Sequence, residues 1–183
     1  MQMRLSTYRL FACMAVVLLA GLPRVAAADE LDSCVKLSDD LAVAGCSRAI
    51  DSHQYTGRSL ARLYARRGGA YQAQGDVNRA VADYNESMRI DPTYPAAYSN
   101  RGNTWFHRGE FDRAIADYNQ AIQLDPKEAK AYYFRGIAWE MKRNLQAALA
   151  DFKIYSQLAP SDRDGLTAVK RVSKELGKMT GRR

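Results

Sequence analysis

Histidine and cysteine are scarce, with two and three in the 183 residues. His53 and His107 lie far apart and no second cysteine pair accompanies Cys34 and Cys46, so the spacing offers no metal site. A Gly-rich phosphate loop is missing too, as is a Ser/His/Asp arrangement with a plausible base or a carboxylate pair standing apart from the general pattern. Neither catalysis nor a cofactor is therefore expected. Long hydrophobic runs are also lacking. The main one, Leu10 to Leu22, is too short to span a bilayer comfortably. Arg4 and Arg9 stand before it and Ala26-Ala27-Ala28 after it, so residues 1–28 read as an export signal cleaved before Asp29. The expected compartment is the periplasm. Phe11 is too bulky for the small-residue cleavage motif that would make Cys13 a lipoprotein site.

Strong charge is lacking as well. The formal net charge of +7 includes Arg4, Arg9 and Arg24, and falls to +4 once residues 1–28 are removed. That remainder does not point to nucleic acid. Export removes Cys13 and leaves Cys34 and Cys46 in an oxidising compartment, where an even pair reads as one disulfide.

What the chain does have is a period. Three copies of 34 residues start at Ala61, Pro95 and Ala129. Each carries an aromatic at its fourth position (Tyr64, Tyr98, Tyr132), then an Arg-Gly pair (Arg67-Gly68, Arg101-Gly102, Arg135-Gly136). A second aromatic follows (Tyr71, Trp105, Trp139), then an alanine (Ala80, Ala114, Ala148) and an Asp-aromatic pair (Asp83-Tyr84, Asp117-Tyr118, Asp151-Phe152). A proline closes each unit (Pro92, Pro126, Pro160). A fixed period of this length with helix-breaking punctuation is the mark of stacked helix-turn-helix units. Over residues 61–162 the chain resembles the tetratricopeptide-repeat family. The resemblance implies an all-α fold, a right-handed superhelical solenoid with units at 61–94, 95–128 and 129–162.

The flanks complete the reading. Residues 41–50 align with residues 113–122, which sets Cys46 against Tyr118, so residues 39–51 read as the second helix of a degenerate repeat. Its first helix would run from about Leu31 to Leu37. A hairpin about Asp40 puts Cys34 opposite Cys46, and residues 29–60 form a stapled N-terminal cap. Thr56-Gly57-Arg58-Ser59 reads as an insertion. After Pro160 the repeat stops. Leu166, Val169, Val172 and Leu176 make one stripe on a basic helix of about residues 162–177, and Gly177 to Arg183 read as a disordered tail. The two together form a capping segment, residues 163–183.

The nine periodic aromatics are expected to pack helix against helix rather than stack on ligands. Arg67, Arg101 and Arg135 precede Asp83, Asp117 and Asp151 by 16 residues each time, which predicts three equivalent contacts across the hairpins. Relatives of this kind commonly bind an extended peptide or partner helix on the inner face made by the first helix of each unit. Carried over position by position, that face comprises Arg66 and Gln72 in the first unit, with Arg62, Ala65 and Gly69. The second unit supplies Ser99, Asn100, Asn103 and Phe106. The third supplies Lys130, Tyr133, Ile137 and Glu140, with Phe134. Some relatives grip a peptide's terminal carboxylate with two lysines, two asparagines and an arginine. Asn100 and Lys130 match two of these positions, while Ala65, Gly69 and Phe134 replace the rest, so a clamp of that kind is not expected. The expectation is a non-enzymatic module that binds a protein or peptide in its groove. A second reading is a structural protein attached to membrane or cell wall through Lys170, Arg171, Lys174 and Lys178 of the basic last helix.

Overall fold

A computed structural model describes Cys34 and residues 39–181. The expected first helix of the cap, apart from Cys34, and the expected export signal lie outside the described residues. Among these the fold is entirely helical: α1 Asp39–Asp51, α2 Gly57–Ala73, α3 Val77–Ile90, α4 Pro95–His107, α5 Phe111–Leu124, α6 Ala129–Met141, α7 Leu145–Leu158 and α8 Arg163–Thr180. Each helix packs on its chain neighbour, and the first helices of successive units, α2 with α4 and α4 with α6, also touch. The result is a layered solenoid whose inner wall is α2, α4 and α6.

The turns follow from local chemistry. Gly75 and Gly109 take φ of 79° and 75°, a left-handed conformation that glycine adopts without Cβ strain. The third hairpin places Arg143 there at φ 62°. Asp76 and Asn144 then cap the second helices, their side chains accepting from Arg79 N at 3.0 Å and Ala147 N at 3.2 Å. Between units, Asp91 and Asp125 accept from the backbone N–H two residues on, at 3.0 and 2.9 Å, which fixes the turns around the following prolines.

Mid-helix Gly68, Gly102 and Gly136 permit close approach of the two helices. A Cβ at each would stand 2.8–2.9 Å from the ring of Tyr84, Tyr118 or Phe152. These three rings are fully buried and centre the units. Of the other periodic aromatics Tyr132 is buried, and Tyr64, Tyr71, Tyr98 and Trp139 pack half-buried against the core clusters, as expected. Arginines lie over several of the outer faces: Arg79 at 4.3 Å from Tyr71, Arg113 at 5.0 Å from Trp105.

The Arg–Asp contacts form in all three units. Arg67 donates through Nε and Nη2 to both oxygens of Asp83 at 2.8 and 2.9 Å, and Arg101–Asp117 and Arg135–Asp151 repeat the fork. Each guanidinium then donates through Nη1 to the second helix of the preceding unit: to Ser47, Asn85 and Asn119 at 3.1, 2.6 and 2.7 Å. One side chain thus closes its own hairpin and ties it to the one before.

The flanks refine the expectations. Gly57, Arg58 and Ser59 of the insertion add a turn to the start of α2. Arg58 reaches from that turn to Asp91 at 2.6 Å and to Thr93 Oγ1 at 2.9 Å, bracing the junction of the first two units. The last helix runs to Thr180, so the expected disordered tail is helical over residues 177–180. Its buried face is Gly165, Ala168 and Val172, with Val169 and Leu176 half-buried and Leu166 51% exposed. A Cβ at Gly165 would stand 2.7 Å from Tyr155, so this glycine admits the ring while Val169, Val172 and Leu176 of the stripe pack beside it.

At the other end, the sulfurs of Cys34 and Cys46 are bonded at 2.00 Å, with Cα atoms 4.7 Å apart. Both are buried against Ala49, Ile50 and Leu63.

Candidate functional site

The inner face divides into a polar half and an aromatic half, and the buried ring of each unit sets the division. Tyr84 donates its hydroxyl to Gln72 Oε1 at 2.9 Å, and Thr104 Oγ1 stands 2.8 Å from the same oxygen. Tyr118 donates to Asn103 Oδ1 at 2.7 Å. Burial pushes both phenols well above their ordinary pKa, so they stay protonated donors. The two amides are thereby held by their oxygens, which leaves their NH2 groups as donors for a ligand. In the third unit Phe152 has no hydroxyl to offer, and the facing residues are Tyr133, Phe134 and Ile137. The Tyr133 ring lies 5.8 Å from Phe152 and 4.8 Å from Tyr155, and Phe134 stacks on Tyr118 at 6.4 Å.

Between α2 and α4 the polar half opens into a cleft of about 530 Å³, lined by Gly69, Gln72, Ala73, Asn100, Asn103, Thr104, His107 and Arg108, with Val77 and Tyr84 behind. Gln72, Asn100 and Asn103 come together here. Other expected groove residues lie elsewhere. Ser99 is 7% exposed and donates to Glu128 Oε1 at 2.7 Å. Phe106 packs edge-on against His107 and Phe111. Arg66 lies 3.5 Å from the Cys34 carbonyl, at the cap, and Lys130 is exposed on α6. Tyr133 and Ile137 pack against the cluster that holds Ala168 and Val172 of α8. Glu140 accepts from Arg171 of α8 at 2.7 and 3.0 Å. The last helix thus covers the far end of the face, and the cleft is left at the first two units.

Thr104, His107 and Arg108 were not among the expected site residues. The signal lay in the helical spacing, because Thr104 and His107 stand four residues after Asn100 and Asn103 on the same helix face. Glu128 was likewise unforeseen. Burial pushes its carboxyl above the ordinary value, and its Oε2 is buried with no hydrogen-bond partner among the described residues.

Among the described residues no group of three or more His, Cys, Asp or Glu could hold a metal ion, and no helix is long and apolar enough to cross a membrane.

These stacked hairpins with an inner cleft share the architecture of tetratricopeptide-repeat solenoids, and two overlapping stretches of the chain match models of such repeats. Residues 95–128 match the model described as tetratricopeptide repeat, and residues 68–107 match one described as TPR repeat. Among solved structures, the first TPR of Spaghetti (RPAP3) bound to the HSP90 peptide SRMEEVD is similar at 27% identity and a TM-score of 0.64, over 68% of this chain and 98% of that one. The second TPR domain of human RPAP3, in complex with the HSP70 peptide SGPTIEEVD, is similar at 25% identity and a TM-score of 0.57, over 62% and 98%. MamA shares the fold at 18% identity and a TM-score of 0.68, over 83% of each chain. No curated protein matches the sequence.

Proposed function

We propose that this protein is a non-catalytic interaction module that holds an extended peptide segment of a partner in the α2/α4 cleft. We further propose that it does so in the bacterial cell envelope after removal of residues 1–28. The cleft is the observation that carries the reading: amide groups pinned by Tyr84 and Tyr118 present donors to a peptide backbone, with His107 and Arg108 at the rim. Pinning before binding lowers the ordering cost that a flexible surface would incur. The structural neighbours that hold HSP90 and HSP70 peptides support the mode of binding. They do not extend to the ligand, because Ala65, Gly69 and Phe134 stand where a terminal-carboxylate grip needs charged or amide groups. The compartment reading rests on Arg4, Arg9, the Leu10–Leu22 run and the Ala26-Ala27-Ala28 site, together with the Cys34–Cys46 bond.

The test is a peptide array probed with the wild type and with Asn100→Ala/His107→Ala, followed by amide chemical-shift mapping of the best binder. Shifts gathered on α2 and α4, and affinity at least about tenfold weaker in the variant, are the expected result. Shifts confined to the outer helices, or equal binding by the variant, overturn it.

A further inference from the structure

The last helix continues the register of the repeat but breaks its rule. Thirty-four residues on from Gly68, Gly102 and Gly136 stands Lys170. In the three units the glycine is what admits the ring of the second helix, since a Cβ there would lie under 3 Å from it. A lysine excludes that approach, so no further hairpin can dock on α8 in the geometry of the repeat. The face stays open, with Leu166 51% and Met179 61% exposed at its two ends. Leu166, Lys170, Lys174 and Lys178 follow at intervals of four residues and so form one row along the helix. Arg171 and Glu175 are engaged with Glu140 and Arg143, whereas none of the three lysines makes an ion pair among the described residues.

The matching charge sits at the opposite end of the chain. Residues 163–183 hold seven basic and two acidic side chains; residues 29–51 hold six acidic and two basic. Five of those acids, Asp29, Glu30, Asp32, Asp39 and Asp40, fall between positions 29 and 40, interleaved with Leu31, Val35 and Leu37. Charge and apolar content are thus both complementary to the α8 row. Cys34 is bonded to Cys46 of α1, at the far end of the stack from α8. The α8 row and the bonded Cys34 thus stand at opposite ends of one copy, as a head-to-tail contact between copies requires.

We infer that residues 29–40 of one copy dock on the Leu166–Lys170–Lys174–Lys178 row of another, joining the solenoids head to tail. Such a contact pairs two different surfaces and leaves one of each free, so it propagates with concentration rather than stopping at a closed pair. It is independent of the peptide cleft and stands or falls separately.

The experiment is sedimentation velocity on the protein expressed from its full sequence and purified as the cells deliver it. Runs at rising concentration in about 0.05 M and about 0.5 M salt separate screened from unscreened charge. The expected result is a mass that climbs with concentration in low salt and returns to the monomer in high salt. Lys170→Glu/Lys174→Glu/Lys178→Glu should shift the association midpoint upward by at least roughly tenfold. Mixing that variant with Asp29→Lys/Glu30→Lys/Asp32→Lys should restore complexes that neither forms alone, an outcome that a misfolded variant cannot produce. A monomer at every concentration, or association indifferent to salt and to the lysines, overturns the proposal. So does a monomer that binds phosphatidylglycerol vesicles through the same lysines, which would assign the row to a lipid surface.

Discussion

Arg143 occupies the turn position at which the first two hairpins use glycine, and its φ of 62° puts a Cβ where Gly75 and Gly109 have none. A left-handed non-glycine residue costs about 1–2 kcal/mol. Its ion pair with Glu175, at 3.0 Å and with the arginine 81% exposed, offsets little of that. Arg143→Gly is therefore expected to stabilise the chain by about 1 kcal/mol, read as a higher urea midpoint at an unchanged slope. This much was legible in the sequence, where Arg143-Asn144 stands against Gly75-Asp76 and Gly109-Glu110. Glu128 was not legible, because its partner Ser99 lies 29 residues away and no local pattern announces its burial. Its carboxyl is pushed up by burial, so the folded state binds that proton more tightly than the unfolded chain does. The stability linked to it is fully present below the unfolded pKa and is lost as pH rises through the higher folded one. Glu128→Gln should remove that loss, gaining roughly 1 kcal/mol at pH 7, with the two chains converging towards pH 4 in urea titrations.

At the scale of elements, the helices of the three units were readable because their signals repeat: the mid-helix glycines, the closing prolines and the 16-residue Arg–Asp spacing. The flanks lack that redundancy. The extra turn of α2 comes from residues 57–59, an insertion with no counterpart in the later units to announce its structure. The docking face of α8 was read in part: Val169, Val172 and Leu176 pack there and Leu166 does not, while a reading weighted to bulky side chains passes over buried Gly165 and Ala168. The bond from Cys34 to Cys46 belongs to this scale, since α1 rests chiefly on α2 among the described helices. Closing a loop with a sequence separation of 12 is worth on the order of 3 kcal/mol. Reduction, or Cys34→Ser/Cys46→Ser, should therefore release α1 without melting the units. In hydrogen exchange, amides of residues 39–51 should lose protection while those of residues 95–158 keep theirs. Simultaneous loss across the chain would show that the cap is part of one cooperative unit.

For the molecule as a whole, the question is what makes separate hairpins behave as one body. Core packing alone couples nearest neighbours, as in any solenoid. Here the guanidiniums add a second link. Arg101 places two N–H groups on Asp117, a residue only 6% exposed, and a third on Asn85 of the unit before. The Asp117 carboxylate in turn holds that guanidinium above its ordinary pKa, chiefly through the hydrogen bonds. Arg101→Met leaves a buried carboxylate unpaired and should cost about 3 kcal/mol. Arg101→Lys should recover little, because one ammonium cannot reproduce a planar fork and its third donor. Asn85→Ala removes only the link between units, at about 1 kcal/mol. It should nevertheless lower cooperativity more than its effect on stability suggests. The check is the denaturant slope beside exchange protection of α3 and α5. If Asn85→Ala lets residues 57–90 open separately from residues 95–158, the arginine row is the coupling element. If the slope and the protection pattern stay as in the wild type, the hydrophobic contacts between units suffice and the arginines serve their own hairpins alone.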